Sequence, residues 1–378
     1  MKLPPIAVLF FDNARVRAGV EEHILTLLRG LDRQHFRLFF ACAPELAEKM
    51  RADVPGDVEL VPLYLEEAHD CAGAWQLAQV LRRRRIDLLH SHLFQASRLA
   101  SVIGRLCGVP RIVETPHVRE QWRQRKGWLK RSFVVDRLVG RFVDCFIAVS
   151  EAQRRYLAEE KHLPYEKIVV IRNGADLRRF HPARRASAER KKSLGVQDGD
   201  PVIVMLARLE PQKGHDVLLD ALPQVRNEFP RVRVLCVGEG SLRPQLVERS
   251  RQLGLEDCVR FVGYQSDPVE WLALADFTVL PSYYEGLPIA AIESLAMAKT
   301  MVATDVDGTA ELVLDGKTGL TVPPGQPSRL AQAICRLLRE PELRQKLGEA
   351  GREWVSQHYS QEQQIRKTEE FYSRALGR

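Results

Sequence analysis

Two glutamates eight positions apart, Glu285 and Glu293, bracket a proline in Pro281-Ser282-Tyr283-Tyr284-Glu285-Gly286-Leu287-Pro288-Ile289-Ala290-Ala291-Ile292-Glu293-Ser294. Ahead of them Asp276-Phe277-Thr278-Val279-Leu280 reads as a strand. Behind them Ile289 to Met297 reads as a helix, with Pro288 suited to its first turn. One carboxylate then sits on a strand-to-helix loop and the other lies about one turn into the helix, with unpaired backbone N–H groups between them. A helix start binds phosphate through those N–H groups and its positive dipole end. Carboxylates accept strong hydrogen bonds from sugar hydroxyls. The expected chemistry is binding of a phosphorylated sugar, and of a nucleotide sugar in particular.

A second constellation, Ala207-Arg208-Leu209-Glu210-Pro211-Gln212-Lys213-Gly214, follows the apolar run Val202 to Leu206. An arginine fork and a compact lysine charge at a strand end suit a diphosphate, although two loop cations are also common as mere solvated charge. Val237-Gly238-Glu239-Gly240 follows another strand, where glycines permit a tight turn or close approach of backbone to a ligand. Arg17-Ala18-Gly19-Val20-Glu21 opens a helix after the first strand. His90 and His92 end one strand and Thr115-Pro116-His117 ends the next. Strand-end histidines can bind hydroxyls or phosphates, or exchange protons. His92 is an acceptor-side candidate, and His90, alternating to the opposite side, is a packing residue. Asn173-Gly174-Ala175-Asp176 reads locally as a turn.

Taken in order, these segments resemble the retaining GT-B glycosyltransferases of family 4 (group 1), whose paired-glutamate motif matches Glu285 and Glu293. The resemblance implies that Arg208 and Lys213 grip the donor pyrophosphate. It implies that Gly238 and its neighbours, with Gly263 and Tyr264, flank the nucleotide base. Glu285 would hold sugar hydroxyls near the diphosphate and Glu293 the ribose hydroxyls, with N–H groups around Gly286 and Leu287 meeting the developing charge. His117 would lie close to the transferred sugar. Gly19 would let backbone approach the phosphates or the acceptor; the family usually has a second glycine where this chain has Ala18. Asn173 to Asp176 matches a segment near the interdomain joint. The catalytic set is thus His117, Glu285, Arg208 and Lys213, with His92 on the acceptor side. No cofactor is expected, because a nucleotide sugar is a substrate, and no metal. Asp305-Val306-Asp307 spells the DxD of metal-using sugar transferases, but it falls where this family has a glycine-rich loop. Asp307 there replaces a usual glycine.

Positioning these residues needs strands whose carboxyl ends converge. Short apolar runs alternate with amphipathic stretches at 6–11, 36–42, 58–63, 86–91, 111–115, 145–149 and 168–171. After a polar, basic break at about 178–199, they resume at 201–206, 232–237, 259–262, 276–280, 300–303 and 319–322. Strand–helix alternation implies parallel sheets with helices on both faces. The expected fold class is α/β with a GT-B fold: two Rossmann-like, doubly wound parallel-sheet domains facing across a cleft. Residues 1–180 form the acceptor-binding domain, 181–355 the donor-binding domain, and 356–378 a helix that by resemblance returns to the first domain.

The 378 residues carry a formal net charge of +7. Residues 1–180 hold 30 Lys+Arg against 22 Asp+Glu, and residues 181–378 hold 26 against 27. The basic excess belongs to the first half, which suggests an anionic partner there. Within it, residues 119–131 contain six cations, one acid and two tryptophans. Trp122, Arg123, Arg125, Lys126, Trp128, Lys130 and Arg131 suit an anionic membrane interface or stacking on single-stranded nucleic acid. A solvated basic helix with inward aromatics fits equally well. The resemblance favours lipid over nucleic acid. Seven scattered cysteines without a CxxC pair fit reduced thiols, and no run approaches the roughly 20 apolar residues of a membrane span. The chain is therefore expected to be cytoplasmic, resting on the cytoplasmic face of the membrane. The partners are a nucleotide-sugar donor, UDP-linked in preference to GDP-linked, and a glycan or lipid-linked acceptor of cell-surface polysaccharide or glycolipid synthesis. Two rivals are a nucleotide-sugar epimerase of related architecture and a non-enzymatic basic binding module.

Overall fold

A computed structural model describes residues 4–15, 17–65, 70–120 and 133–378, with backbone alone at 94–97. The chain divides into two compact units, Met1–Asn173 with Glu362–Arg378, and Gly174–Gln361.

The first unit holds a seven-stranded sheet in the order β3-β2-β1-β4-β5-β6-β7. Its strands are β1 (Ile6–Asp12), β2 (Phe36–Cys42), β3 (Glu59–Pro62), β4 (Leu88–His92), β5 (Arg111–Thr115), β6 (Cys145–Ala148) and β7 (Ile168–Val170). All pair in parallel. Every residue of β1 is buried, as a parallel strand covered on both faces requires. Alternation splits the core into two layers. Leu9, Phe11, Leu89, Ile112 and Phe146 pack on one face; Val8, Phe10, Leu88, Val113 and Ile147 pack on the other. The last helix, Gln361–Ala375, belongs to this unit and sinks Tyr372 into the second layer.

The second unit holds a six-stranded parallel sheet in the order β10-β9-β8-β11-β12-β13. Its strands are β8 (Val202–Leu206), β9 (Arg233–Val237), β10 (Val259–Gly263), β11 (Phe277–Leu280), β12 (Met301–Thr304) and β13 (Leu320–Val322). Ile203, Met205, Val234, Phe277, Val279 and Val302 lie in one core. All thirteen strands fall where apolar runs place them. In each sheet the order reverses once, between β1 and β4 and between β8 and β11. In open parallel sheets ligands bind outside the carboxyl ends of strands at that reversal. His92 ends β4, Arg208 lies just beyond β8, and Glu285 lies on the loop after β11.

Candidate functional site

The second unit assembles its site from two loops at one strand reversal. The strand β8 runs into a loop and a 3₁₀ turn, Pro211–Lys213, closed by Gly214 at φ +70°. A Cβ on Gly214 would stand 2.1 Å from the Pro281 carbonyl oxygen, so only glycine lets this turn press on the segment after β11. Gln212 fastens the contact. Its carbonyl accepts from the Tyr283 N–H and its side-chain amide donates to the Tyr284 carbonyl, both at 2.8 Å. Lys213 thereby reaches Glu285, with Nζ 2.5 Å from Oε1. Their side chains are 14% and 4% exposed. The Ser282 hydroxyl donates to the same Glu285 oxygen at 2.7 Å, and Thr304 donates to the Ser282 carbonyl at 2.5 Å. The Asp307 carboxylate accepts the Glu285 backbone N–H at 3.1 Å. Arg208 is exposed, and no ion pair or hydrogen bond of its guanidinium is present among the described residues. The result is a buried carboxylate with one oxygen held by both Lys213 and Ser282, its backbone N–H tied to Asp307, and an arginine nearby in the chain that is open to solvent.

The helix Ile289–Ala296 starts directly after this loop. Pro288 stands one place before its first residue rather than inside the first turn, with its carbonyl accepting from Ala291 and Ile292. Gly286 and Leu287 are buried at the helix entry, and Glu293 is half-buried within the helix. Gly238 leaves β9 at φ +147°, and its N–H donates to the Gly263 carbonyl at 2.9 Å. A Cβ on Gly238 would stand 2.0 Å from the Ala207 carbonyl oxygen. The loops after β8, β9 and β10 are therefore packed backbone against backbone, with Tyr264 exposed beyond them. His215 opens the next helix with both ring nitrogens buried and unpartnered among the described residues. Burial, and then the Lys213 ammonium, pull its pKa down to about 3. It is neutral, and adds no charge beside Lys213.

In the first unit, four histidines meet under the carboxyl ends of β1, β4 and β5. His92 Nδ1 and His117 Nε2 lie 2.9 Å apart. His23, on the helix Gly19–Gly30, stands edge-on to the His117 ring with centroids 4.7 Å apart. Its Nδ1 lies 2.8 Å from Asn173 Oδ1 and 3.0 Å from Gln364 Nε2. His90 uses both nitrogens, on the Tyr372 hydroxyl at 2.5 Å and the Thr115 hydroxyl at 2.7 Å, which is a packing arrangement. Burial pulls His23 down to about 4 and holds His90, His92 and His117 well below the usual histidine range, with mutual repulsion adding to it. All four are neutral at pH 7. His23 Nε2 and His92 Nε2 are buried without partners among the described residues. His117 holds φ +63°, a left-handed backbone rare outside glycine; such outliers concentrate at functional sites. Gly19 begins its helix with open space where a Cβ would point. The fold does not require glycine there.

Donor atoms of His23, His92 and His117 all lie within 4.8 Å of one another, a spacing to test against a metal. The tautomers oppose it. In a neutral His92–His117 pair one ring donates, and the accepting ring carries its proton on the far nitrogen. While that bond stands, only one of the two offers an outward lone pair. Asp305 and Asp307 belong to no such cluster among the described residues; Asp305 is exposed and Asp307 is turned onto the Glu285 N–H. Asn173 reaches His23, and Gly174 packs so closely on Ser360 that a Cβ would lie 2.3 Å from its carbonyl. Asp176 accepts the Arg178 and Arg179 N–H groups, which is turn chemistry. Trp122, Arg123, Arg125, Lys126, Trp128, Lys130 and Arg131 lie outside the described residues. Sequence reasoning overlooked His23, Ser282 and Gln212. His23 lies four residues after Gly19 and so one helical turn along, a signal present in the spacing; nothing local marks the other two.

The pattern of the family described as glycosyl transferases group 1 matches residues 186–354, and that of Glycosyltransferase Family 4 matches residues 17–179. A D-inositol 3-phosphate glycosyltransferase of Thermobispora bispora is 28% identical over 309 residues, 77% of this chain and 69% of that protein. A glycogen synthase of Mycobacterium tuberculosis is 29% identical over 286 residues, 74% and 66%. The chain spans about two thirds of the length of these relatives. Among solved structures, Anabaena Alr3699/HepE in complex with UDP and glucose superposes with a TM-score of 0.83 at 20% identity, covering 97% of this chain and 99% of that one. Two parallel-sheet α/β domains with such neighbours make a GT-B fold.

Proposed function

Since the chain belongs to the group 1 glycosyltransferases of family 4, we propose that it is a retaining enzyme moving a sugar from a nucleotide-sugar donor to a glycan or lipid-linked acceptor. The reading rests on one observation above the rest: Lys213, Glu285 and Arg208 gather at the β8/β11 reversal, beside the start of a helix. As the sugar–phosphate bond breaks, charge grows on the diphosphate. Arg208, Lys213 and the N–H groups around Gly286 and Leu287 meet it, and preorganised donors of this kind supply the largest share of many rate enhancements. Glu285 accepts sugar hydroxyls and Glu293 ribose hydroxyls. Gly238, Gly263 and Tyr264 flank the base. In the first unit His117 serves the transferred sugar and His92 the acceptor, where neutral imidazoles accept from hydroxyls, and Gly19 lets backbone approach. The acceptor hydroxyl attacks on the face from which the diphosphate leaves.

A UDP-linked donor is preferred, supported by structural neighbours whose complexes contain UDP, UDP with glucose, or UDP-glucose. A GDP-linked donor is the second choice, and the pathway is cell-surface polysaccharide or glycolipid synthesis. A thermal-shift comparison tests this. UDP at 100 times its dissociation constant stabilises by about 2.7 kcal/mol, and the shift and the transfer activity survive EDTA. Stabilisation by no nucleoside diphosphate removes the donor site, and activity lost to chelator and restored by Mn²⁺ makes Asp305 and Asp307 ligands.

The first half's charge carries a proposal about place. No helix among the described residues is long and apolar enough to cross a membrane. We assign the enzyme to the cytoplasmic membrane face, held there by the basic, Trp-containing tract. Each cation near an anionic surface contributes about 1 kcal/mol, screened by salt. The protein therefore sediments with anionic and not neutral vesicles at low salt. Gln at Arg123, Arg125, Lys126, Lys130 and Arg131 abolishes this, and a wild type that ignores anionic vesicles ends the lipid assignment.

A further inference from the structure

Asp307 holds a left-handed backbone. Its φ is +40°, a region that glycine adopts freely and that Asp or Asn enters only occasionally. Its carboxylate makes a bond across loops: Asp307 Oδ2 accepts the backbone N–H of Glu285, twenty-two residues away, at 3.1 Å. That N–H opens the loop whose other members, Gly286 and Leu287, lead into the helix Ile289–Ala296.

The same loop carries the pair formed by Lys213 and Glu285. Two of the groups that an entering diphosphate would seek are thus engaged by protein carboxylates. The ammonium is on Glu285 and a loop N–H is on Asp307. A carboxylate and a phosphate oxygen are alike to an N–H donor: both are anionic acceptors giving short, charge-assisted bonds. They are also mutually repulsive. We propose that Asp307 is an internal stand-in for the donor's diphosphate, a specificity and release device that weakens nucleotide binding and speeds nucleotide departure. On entry the diphosphate takes Lys213 and faces the Asp307 charge; on departure the carboxylate restores the loop. The proposal rests on the donor-site reading above and adds the claim that one carboxylate works against the product nucleotide.

Two variants separate the contributions. Asp307→Asn keeps a side-chain acceptor for the Glu285 N–H and tolerates the left-handed backbone, but removes the charge. Asp307→Gly removes both and relieves the backbone strain, which on its own stabilises or leaves stability unchanged. Calorimetric titration with UDP, GDP and ADP, at low salt and at about 0.5 M salt, gives the readout, with transfer kinetics alongside. Both variants are expected to bind the nucleoside diphosphate about tenfold more tightly than the wild type at low salt. The advantage shrinks as salt screens the repulsion, and product inhibition strengthens by the same factor. Unchanged or weaker nucleotide binding in both variants overturns the proposal, as does a loss confined to the intact nucleotide sugar, which would make Asp307 a ligand of the sugar. A wild type that binds none of the three nucleotides defeats the donor-site reading itself. A wild type that binds one of them while the variants match it defeats only the role of Asp307.

Discussion

Lys213→Ala is expected to lower kcat/KM for the nucleotide sugar by about 2–4 kcal/mol of transition-state stabilisation, and Arg208→Ala by a similar amount. The two losses differ in kind. Arg208 is exposed, with no protein partner for its guanidinium among the described residues. Its removal therefore leaves folding untouched and appears in turnover alone. Lys213 is partly buried and holds Glu285 at 2.5 Å. Its removal also leaves a carboxylate that is 4% exposed supported by the Ser282 hydroxyl and the chain around it. A buried charge stripped of its partner costs several kcal/mol unless it takes up a proton. Lys213→Ala should thus lower the thermal midpoint where Arg208→Ala does not. Lys213→Arg should restore the stability better than the rate, because a planar fork does not replace a point charge at one oxygen. Steady-state kinetics with a fixed acceptor, beside denaturation curves, separate the effects. Near-normal turnover in the Arg208→Ala/Lys213→Ala double variant removes the donor-site assignment altogether.

The strands were legible because a strand covered on both faces cannot alternate. Ile6 to Phe11 and Val202 to Leu206 are unbroken apolar runs, and burial of both faces leaves no other composition. The strand-end positions of the residues proposed for the donor were legible for a related reason. Strand ends carry function, and Arg208, Lys213 and Glu285 stand within a few residues of such ends. What could not be read was pairing across loops. Asp307 looks like an out-of-place glycine until the Glu285 N–H is seen beside it. Ser282 and Gln212 look like ordinary loop residues until the turn closed by Gly214 is pressed onto Pro281. His23 lies one helical turn after Gly19, a spacing that marks its face of the helix and nothing more, and its meaning comes from His117 and Asn173, 94 and 150 positions on. Residues 119–131 were legible only as composition, and from Gln121 onward the tract lies outside the described structure.

Just beyond His117 the chain is held by a buried charge. Lys161→Met is expected to destabilise the first unit by about 3–5 kcal/mol, the usual effect of breaking a buried pair from one side. The Lys161 and Glu120 side chains are 0% and 7% exposed and form an ion pair. The ammonium also lies over the Phe133 and Tyr156 rings, at 5.1 and 5.7 Å from their centroids, and the Tyr156 hydroxyl accepts the Glu120 N–H at 3.2 Å. Burial already pushes the Glu120 carboxyl up, with Lys161 pulling the other way. Without Lys161 that carboxyl rises further and takes up a proton. A carboxyl whose folded pKa stands above its unfolded one favours the fold fully below the unfolded value, and that contribution is lost as pH rises through the folded pKa. The damage from Lys161→Met is therefore smaller at pH 6 than at pH 8. Adding Glu120→Gln removes the charge paired directly with Lys161, so the double variant recovers part of the loss and depends less on pH over that interval; the buried Asp136 and Glu114 carboxyls, which Lys161 also faces, account for what remains. Urea denaturation of the two variants at both pH values reads this out. A single variant as stable as the wild type at pH 8, or a double variant no better than the single, would mean that the pair carries no net stabilisation.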